Sequence, residues 1–252
     1  MNNVGVIYVA VNPQNSPSPF KFNSEKKSIL RDVLNSINSL KKSNPDLDVT
    51  VFSDFDKELF CKSSVDKIIS IKNDYGFLPK VFGILNSPYE KTIFLDCDTY
   101  VNQDISRLFD RKNNHDICIS KEFLAKDILN TGVIYFNNSS FRVKSFLKTW
   151  YQSMTEAKLK AINSDKPFSN KTPDDQGKFN EIYRLSSKDP KFFPHRIKKI
   201  IELSKSLSFN ILDSKIWNCR NTEFNSLKNT DWDFSKTKVF HIRGFKINES
   251  QF

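Results

Sequence analysis

Two aspartates separated by one residue, Asp96 and Asp98, follow directly after the apolar run Ile93-Phe94-Leu95. Such a short run, preceded by the β-branched Thr92, is typical of a buried central strand. In an extended chain, residues two apart point to the same side with Cα atoms about 6–7 Å apart. We therefore expect the two carboxylates to lie together, where they could bind a divalent cation that also holds phosphate oxygens. The alternative is a solvated turn, because Asp is common in turns.

The first hundred residues alternate predicted strands with predicted helices, which indicates an α/β fold with a mostly parallel central sheet flanked by helices. The predicted strands are Val4–Val11, Asp48–Ser53, Val65–Ile71 and Lys91–Leu95, and the predicted helices are Glu25–Lys41 and Pro79–Leu85. Ligands of such sheets bind beyond the carboxyl ends of the strands. The aspartate pair follows a strand at that end.

The second half is less regular. Its predicted strands are Asp116–Ser120, Leu129–Phe136, Ser208–Leu212 and Val239–Ile242, and its predicted helices are Phe141–Leu159 and a segment from Asp174 or Asp175 to Tyr183. A tight turn over Asn130-Thr131-Gly132 is expected to open the strand that begins at Leu129. The prolines of Lys188–His195 indicate a loop.

The formal net charge of +10 bears on the partners of the protein rather than on its fold. Residues 178–205 hold eight Lys or Arg against three acidic residues, which indicates either a solvated surface or attraction to an anionic donor or acceptor. No nucleic-acid-binding motif is present, so a nucleic acid partner is not expected. No apolar run approaches the length of about 18 residues that a transmembrane helix needs. The four cysteines form no C-x-x-C pair and are expected to be buried, reduced thiols in the cytoplasm.

Four further motifs follow the aspartates in order. They are Asn130-Thr131-Gly132, Asp175-Gln176 with Asn180, Trp217-Asn218-Cys219-Arg220, and His241-Ile242-Arg243-Gly244 with Lys246. With Lys80 upstream, this order resembles the nucleotide-sugar glycosyltransferases of the GT-A fold, and within them glycosyltransferase family 8, which contains glycogenin and bacterial lipopolysaccharide galactosyl- and glucosyltransferases. The resemblance covers nearly the whole chain. It implies one GT-A domain over residues 1–252, with 1–100 as the nucleotide-binding part and 101–252 as the sugar- and acceptor-binding part.

The resemblance also implies a metal site. Asp96, Asp98 and His241 would bind Mn²⁺ or Mg²⁺, and Asp98 would also lie near the ribose. Carboxylate oxygens suit either ion, while an imidazole shifts the preference toward a transition metal. The further donor-binding positions that the resemblance implies are Val9, Ala10 and Val11 at the base, Cys97 between the aspartates, Lys80 at a phosphate or the sugar, Asn130 and Gly132 beneath the sugar, and Gly244 and Lys246 at the diphosphate.

Two residues would act at the reacting sugar. The resemblance implies that Asp175 accepts hydrogen bonds from donor-sugar hydroxyls and that Gln176 lies beside the anomeric carbon. Taken alone, the two could equally be a helix N-cap and its first-turn neighbour, and Asp174 duplicates the acid. Lys80 could likewise be an ordinary surface lysine. The Trp217-Asn218 pair is expected on the acceptor side.

The predicted function is that of a metal-dependent glycosyltransferase. It would move a hexose, glucose or galactose, from a UDP-sugar to a hydroxyl of a glycan, lipid-linked or protein acceptor. The family implies retention of anomeric configuration. An inverting enzyme would need a carboxylate base, for which Asp174 is a candidate.

Three alternatives stay open: a sugar nucleotidyltransferase, a non-catalytic basic binding protein, and a transferase-like domain without activity. The first is disfavoured because no glycine-rich phosphate loop follows the first strand, and the third because Asp96, Asp98, His241 and Lys246 are all present. The short segment after Lys246 predicts a soluble enzyme.

Overall fold

The computed structural model describes residues 3–12, 29–72, 74, 76–110, 114–123, 125, 127–163, 174–192 and 194–241. The strands are β1 (Val4–Ala10), β2 (Asp48–Ser53), β3 (Lys67–Ser70), β4 (Lys91–Leu95), β5 (Thr99–Val101), β6 (Ile117–Lys121), β7 (Leu129–Asn137), β8 (Phe209–Leu212), β9 (Cys219–Arg220) and β10 (Val239–His241). The helices are α1 (Ile29–Ser43), α2 (Leu78–Leu85), α3 (Phe141–Ile162), α4 (Asp175–Leu185), α5 (His195–Ser206), α6 (Ser214–Trp217) and α7 (Asn221–Leu227).

Within these described ranges, seven strands form the main sheet in the order β3-β2-β1-β4-β7-β6-β8. β7 runs antiparallel to both of its neighbours, and the other paired strands of this sheet are parallel. The predicted α/β fold with a mostly parallel sheet is therefore confirmed. The carboxyl ends of β1 and β4 meet at the edge where Asp96 begins.

Alternation of side chains along the strands supplies a hydrophobic core on each face of this sheet. Ile93 and Leu95 of β4 pack in the cluster that includes α1, while Phe94 packs in the cluster that includes α2, α3 and α4. Ile93, Phe94 and Leu95 are each at most 1% exposed, which explains why β4 is a continuous apolar run. The sheet thus holds the end of β4 in a rigid position.

A second, three-stranded sheet lies next to this end and has the order β5-β10-β9. β10 pairs antiparallel with β5 and parallel with β9. This small sheet brings the C-terminal part of the described chain beside the residues that follow β4.

The predicted tight turn over Asn130-Thr131-Gly132 is wrong, because these residues belong to β7. The pairing of β6 with β7 shifts register at this point, from Ile119 opposite Ile134 to Ser120 opposite Asn130. Irregularities of this kind redirect side chains and are common next to binding sites. Here the shift releases Thr131 and Gly132 from the β6 ladder.

The predicted loop over Lys188–His195 is also partly wrong. Pro190–Phe192 forms a short 3-10 helix, and Pro194 precedes the first turn of α5, a place that tolerates proline.

The cysteines differ from the prediction at one position. Cys118 and Cys219 are buried and Cys97 is partly buried, whereas Cys61 is exposed, and all four are free thiols. Among the described residues, no helix is long and apolar enough to span a bilayer.

Candidate active site

The two aspartates lie in the turn that joins β4 to β5. The backbone N–H of Asp96 donates to the carbonyl oxygen of Gly132 at 2.8 Å, and the N–H of Thr99 donates to the carbonyl oxygen of Asp96 at 3.3 Å. The chain therefore turns after β4, and the predicted extended geometry of Asp96 and Asp98 is wrong. The side chains are 26% and 23% exposed, so they are not a fully solvated turn either.

The third candidate ligand, His241, comes from the opposite end of the described chain. The register of β10 against β5 places His241 opposite Thr99. Its Nε2 atom lies 3.1 Å from Oδ1 of Asp98 and 3.6 Å from Oδ2 of Asp96. One ligand atom from each of the three side chains falls within 4.8 Å of the others. Two carboxylates and an imidazole converging in this way fit a divalent cation such as Mn²⁺ or Mg²⁺.

The electrostatics of this cluster favour positive charge. Burial raises the pKa of the Asp96 carboxyl, and the charges of Lys80 and His241 oppose that shift. Burial lowers the pKa of His241, but its hydrogen bond with Asp98 and the charges of Asp98 and Asp96 outweigh burial and raise it above 6.5. The two carboxylates therefore stabilise the positive charge of His241, while burial disfavours the negative charge of Asp96.

Gly132 leaves the space that the His241 ring occupies. A Cβ atom built on Gly132 would lie 2.4 Å from Cε1 and 2.5 Å from Nδ1 of His241, well inside van der Waals contact. The glycine therefore has a packing role at the candidate metal site. Its predicted position beneath the donor sugar stays a prediction.

Lys80 is buried between two carboxylates, so the alternative of an ordinary surface lysine is wrong. It lies in the first turn of α2, and its Nζ atom is 3.0 Å from Oδ1 of Asp96 and 2.9 Å from Oδ2 of Asp175. Burial lowers the pKa of Lys80, but the charges of Asp175 and Asp96 outweigh it, so the net shift is upward. The ammonium group therefore links the aspartate turn to α4.

The two adjacent aspartates at the start of α4, Asp174 and Asp175, have different roles. Asp174 is the N-cap, and its carboxylate accepts the backbone N–H groups of Gln176 and Gly177, each at 3.2 Å. Asp175 is 3% exposed, and its Oδ2 atom accepts the hydroxyl of Thr131 at 2.7 Å. The N-cap alternative thus belongs to Asp174, while Asp175 faces the site.

Glu122 is a carboxylate of this site that was not predicted from the sequence. It accepts a hydrogen bond from Nδ2 of Asn130 at 2.7 Å, forms an ion pair with Arg220, and is hydrogen-bonded by the Gln176 side chain. Burial raises the pKa of Glu122, but the hydrogen bond from Asn130 and the charge of Arg220 outweigh it and lower the pKa below 4.5. Its position directly after β6, at the end of a strand, was the available signal.

The predicted base-binding residues lie at the end of β1, which is adjacent to β4. The thiol of Cys97 donates to the carbonyl oxygen of Val9 at 3.2 Å, which ties β1 to the aspartate turn. Ala10 is buried and Val11 is partly exposed. Their contact with a nucleobase stays a prediction.

Apart from Val9, Ala10, Val11 and Cys97, the predicted site residues fall into three groups. Lys80, Asp96, Asp98, Asn130, Gly132, Asp175, Gln176 and His241 come together around the aspartate turn. Trp217 is partly exposed, and the buried Asn218 contacts His241. Gly244 and Lys246 lie outside the described residues.

The family model and the solved structures that match this chain all describe transferases that act on sugars. A family model described as nucleotide-diphospho-sugar transferase matches residues 90–242. The chain is similar to the apo-form glycosyltransferase GlyE of Streptococcus pneumoniae TIGR4, with a TM-score of 0.57 and 15% identity over 95% of this chain and 54% of that one. It is similar to the galactosyltransferase LgtC in complex with donor and acceptor sugar analogues, with a TM-score of 0.52 and 12% identity over 95% of this chain and 87% of that one.

A third solved structure, mouse xyloside xylosyltransferase 1, matches with a TM-score of 0.50 and 14% identity over 94% of this chain and 96% of that one. The chain thus spans about half the length of GlyE but most of the length of the other two. No curated protein sequence matches this chain. At these identities the solved structures establish a shared fold.

Proposed function

Because this chain belongs to the nucleotide-diphospho-sugar transferase family, we propose that it transfers a hexosyl group, glucosyl or galactosyl, from a UDP-sugar to an acceptor hydroxyl. The GT-A fold predicted from the sequence is confirmed by the solved structures it resembles. The observation that carries the proposal is the convergence of Asp96, Asp98 and His241 beside the buried Lys80–Asp175 pair.

Three side chains would hold the metal ion of the donor complex. Asp96 and Asp98 would contribute carboxylate oxygens and His241 its Nε2 atom, and the mixed donor set favours Mn²⁺ over Mg²⁺. When bound, the divalent cation supplies Lewis-acid charge that stabilises the departing diphosphate. Gly244 and Lys246 would add a close backbone approach and a point charge for the same group.

The remaining residues would position the sugar. Asp175 would accept hydrogen bonds from sugar hydroxyls, because Lys80 and Thr131 already fix its carboxylate in one orientation. Gln176 would lie beside the anomeric carbon, with Asn130 beneath the sugar. A group held by such contacts before reaction loses less entropy on reaching the transition state.

We propose that the transfer proceeds with retention. Asp174 was the candidate base for an inverting reaction, but its carboxylate is engaged as the N-cap of α4. A retaining route in which the leaving phosphate helps to deprotonate the acceptor hydroxyl requires no such base. The anomeric configuration of the product, read from the proton coupling constant at the anomeric carbon, tests this assignment.

The acceptor would be a glycan, a lipid-linked glycan or a protein. The base contacts of Val9, Ala10 and Val11, the absence of a nucleic acid partner, and the cytoplasmic location stay predictions.

The central experiment is thermal unfolding with UDP and Mn²⁺ together, with each alone, and with other nucleoside diphosphates. A ligand at 100 times its Kd stabilises the folded state by about 2.7 kcal/mol, which corresponds to a shift in Tm of about 5–10 °C for a chain of this size. We expect this shift for wild type only with UDP and Mn²⁺ together. Asp98→Asn should abolish it, while the exposed-site control Asp46→Asn should retain it.

If no nucleoside diphosphate stabilises the wild-type protein with any divalent ion, the proposed donor site is wrong. If the shift is present, hydrolysis of UDP-glucose and UDP-galactose by the same samples identifies the preferred sugar. Binding without hydrolysis or transfer would instead support a domain that has lost catalysis.

A further inference from the structure

The two nitrogen atoms of the His241 ring have different neighbours. Nε2 faces the carboxylates of Asp96 and Asp98. Nδ1 lies 2.9 Å from Oδ1 of Asn218. A neutral imidazole carries one proton, and only the nitrogen without it has a lone pair for a metal ion. The group opposite Nδ1 therefore decides which nitrogen can be a ligand.

A backbone donor fixes the direction of the hydrogen bonds that lead to Asn218. The N–H of Gly132 donates to Oδ1 of Asn130 at 2.8 Å, and a backbone N–H can only donate. Nδ2 of Asn218 lies 2.7 Å from this same Oδ1 and 3.0 Å from the hydroxyl oxygen of Ser120. The amide group of Asn218 on this side must therefore be its NH₂. Its carbonyl oxygen then faces His241, so Nδ1 is the donor.

The hydrogen bond between Asn130 and Glu122 supports the same orientation of the Asn130 amide. Nδ2 of Asn130 donates to Glu122 at 2.7 Å. Glu122 is paired with Arg220 and its pKa is lowered despite burial, by the Asn130 hydrogen bond and the charge of Arg220, so it accepts as a carboxylate. Both amides are thus oriented by groups that cannot exchange donor and acceptor roles.

We propose that Asn218 is the positioning residue of the metal site: it holds the proton of His241 on Nδ1 and turns the Nε2 lone pair toward Asp96 and Asp98. The proposal rests on the proposed function, because it assumes that His241 binds a cation. Partners of this kind, which hydrogen-bond a ligating imidazole, change metal affinity about 10–100-fold when removed.

The fold explains why Asn218 is available for this role. It lies between α6 and β9, and β9 pairs with β10 so that Arg220 is opposite His241. Asn218 is only 1% exposed, so water does not compete for its amide. A buried amide with its donors and acceptor satisfied holds one orientation.

The test measures Mn²⁺ affinity in the presence of UDP by the electron paramagnetic resonance signal of free Mn²⁺. We expect Asn218→Leu to weaken binding about 10–100-fold. In the His241→Ala background the same substitution should change Mn²⁺ affinity less than twofold, because the imidazole that Asn218 contacts is absent. Asn138→Leu is the matched control, since it also deletes a buried, hydrogen-bonded amide. It should lower stability without altering Mn²⁺ affinity.

The outcomes separate the two proposals. Failure of the wild-type protein to bind Mn²⁺ would overturn the proposed function. If wild type binds and Asn218→Leu binds equally well, or if the substitution still weakens binding without His241, the role of Asn218 is refuted.

A second measurement does not depend on the folding of a variant. In the wild-type complex with Mg²⁺ and UDP, a long-range ¹H–¹⁵N spectrum of the histidine rings should show His241 protonated at Nδ1. His241→Ala identifies its signals among those of the three histidines. Protonation at Nε2 in this complex would overturn the inference.

Discussion

Replacing Lys80 with methionine would keep a long apolar stem but remove the charge that lies between Asp96 and Asp175. The ammonium nitrogen is 3.0 and 2.9 Å from the two carboxylates, and the Lys80 side chain is only 11% exposed. Removing one partner of a buried ion pair costs about 3–5 kcal/mol, because the other charge stays buried without compensation. The expected loss is a large fraction of a typical unfolding free energy of about 5–15 kcal/mol.

The pH dependence of this loss follows from the direction of the shifts. The pKa of Lys80 is raised above 10.5 because the charges of Asp175 and Asp96 outweigh burial, so its stabilising effect is fully present below pH 10.5. In Lys80→Met, burial raises the pKa of Asp96 without the opposing ammonium. The Asp96 carboxylate should then take up a proton more readily as the pH falls, and the difference in stability from wild type should shrink.

Urea unfolding at pH 7 and pH 5, followed by circular dichroism and tryptophan fluorescence, measures both effects. Lys178→Met is the control. It removes the pair with Glu181, where the side chains are 29% and 60% exposed, and should cost at most about 0.5 kcal/mol. A loss for Lys80→Met as small as that of the control, or one that grows at pH 5, would refute the reasoning.

Substitutions at three further positions probe the surroundings of the candidate site. Gly132→Ala should displace the His241 ring and weaken Mn²⁺ binding at least tenfold, measured by titration with UDP present; unchanged affinity would mean that the ring has room to move. Thr131→Val should destabilise the fold by about 1.5–3 kcal/mol in urea, because it deletes a hydrogen bond to Asp175, whereas Thr131→Ser should recover most of this. Asp174→Ala should cost about 1 kcal/mol as a lost N-cap and leave turnover within about threefold; a loss of turnover of 100-fold or more would restore Asp174 as a candidate base.

Features set by local patterns were predictable from the sequence. β2 and β4 have the bounds that the apolar runs indicated, because a central strand is specified by its own buried residues. The apolar pattern also placed the aspartate pair at the end of β4. It could not give the turn after Asp96, which depends on a hydrogen bond to Gly132 in β7, a neighbouring strand that is distant in sequence.

The parts that escaped prediction are mostly long-range contacts. Glu122 and Arg220 are 98 residues apart in sequence, and no periodicity connects them. Likewise, position 132 requires a glycine because the ring of His241, a residue of the other sheet, occupies the space beside it. The sequence does not predict α5, because its basic residues also fit a solvated surface and the prolines before it, Pro190 and Pro194, indicate a loop.

The pairing of β10 with β5 has a consequence for the order of folding. Asp98 and His241 are 143 residues apart in sequence, so closing this loop carries a large entropic cost that only a mostly assembled protein can offset. Local elements such as α1 and α3 can form far earlier than this non-local pairing. We therefore expect the three candidate ligands to come together late in folding, so that only molecules whose two sheets have docked can retain a metal ion.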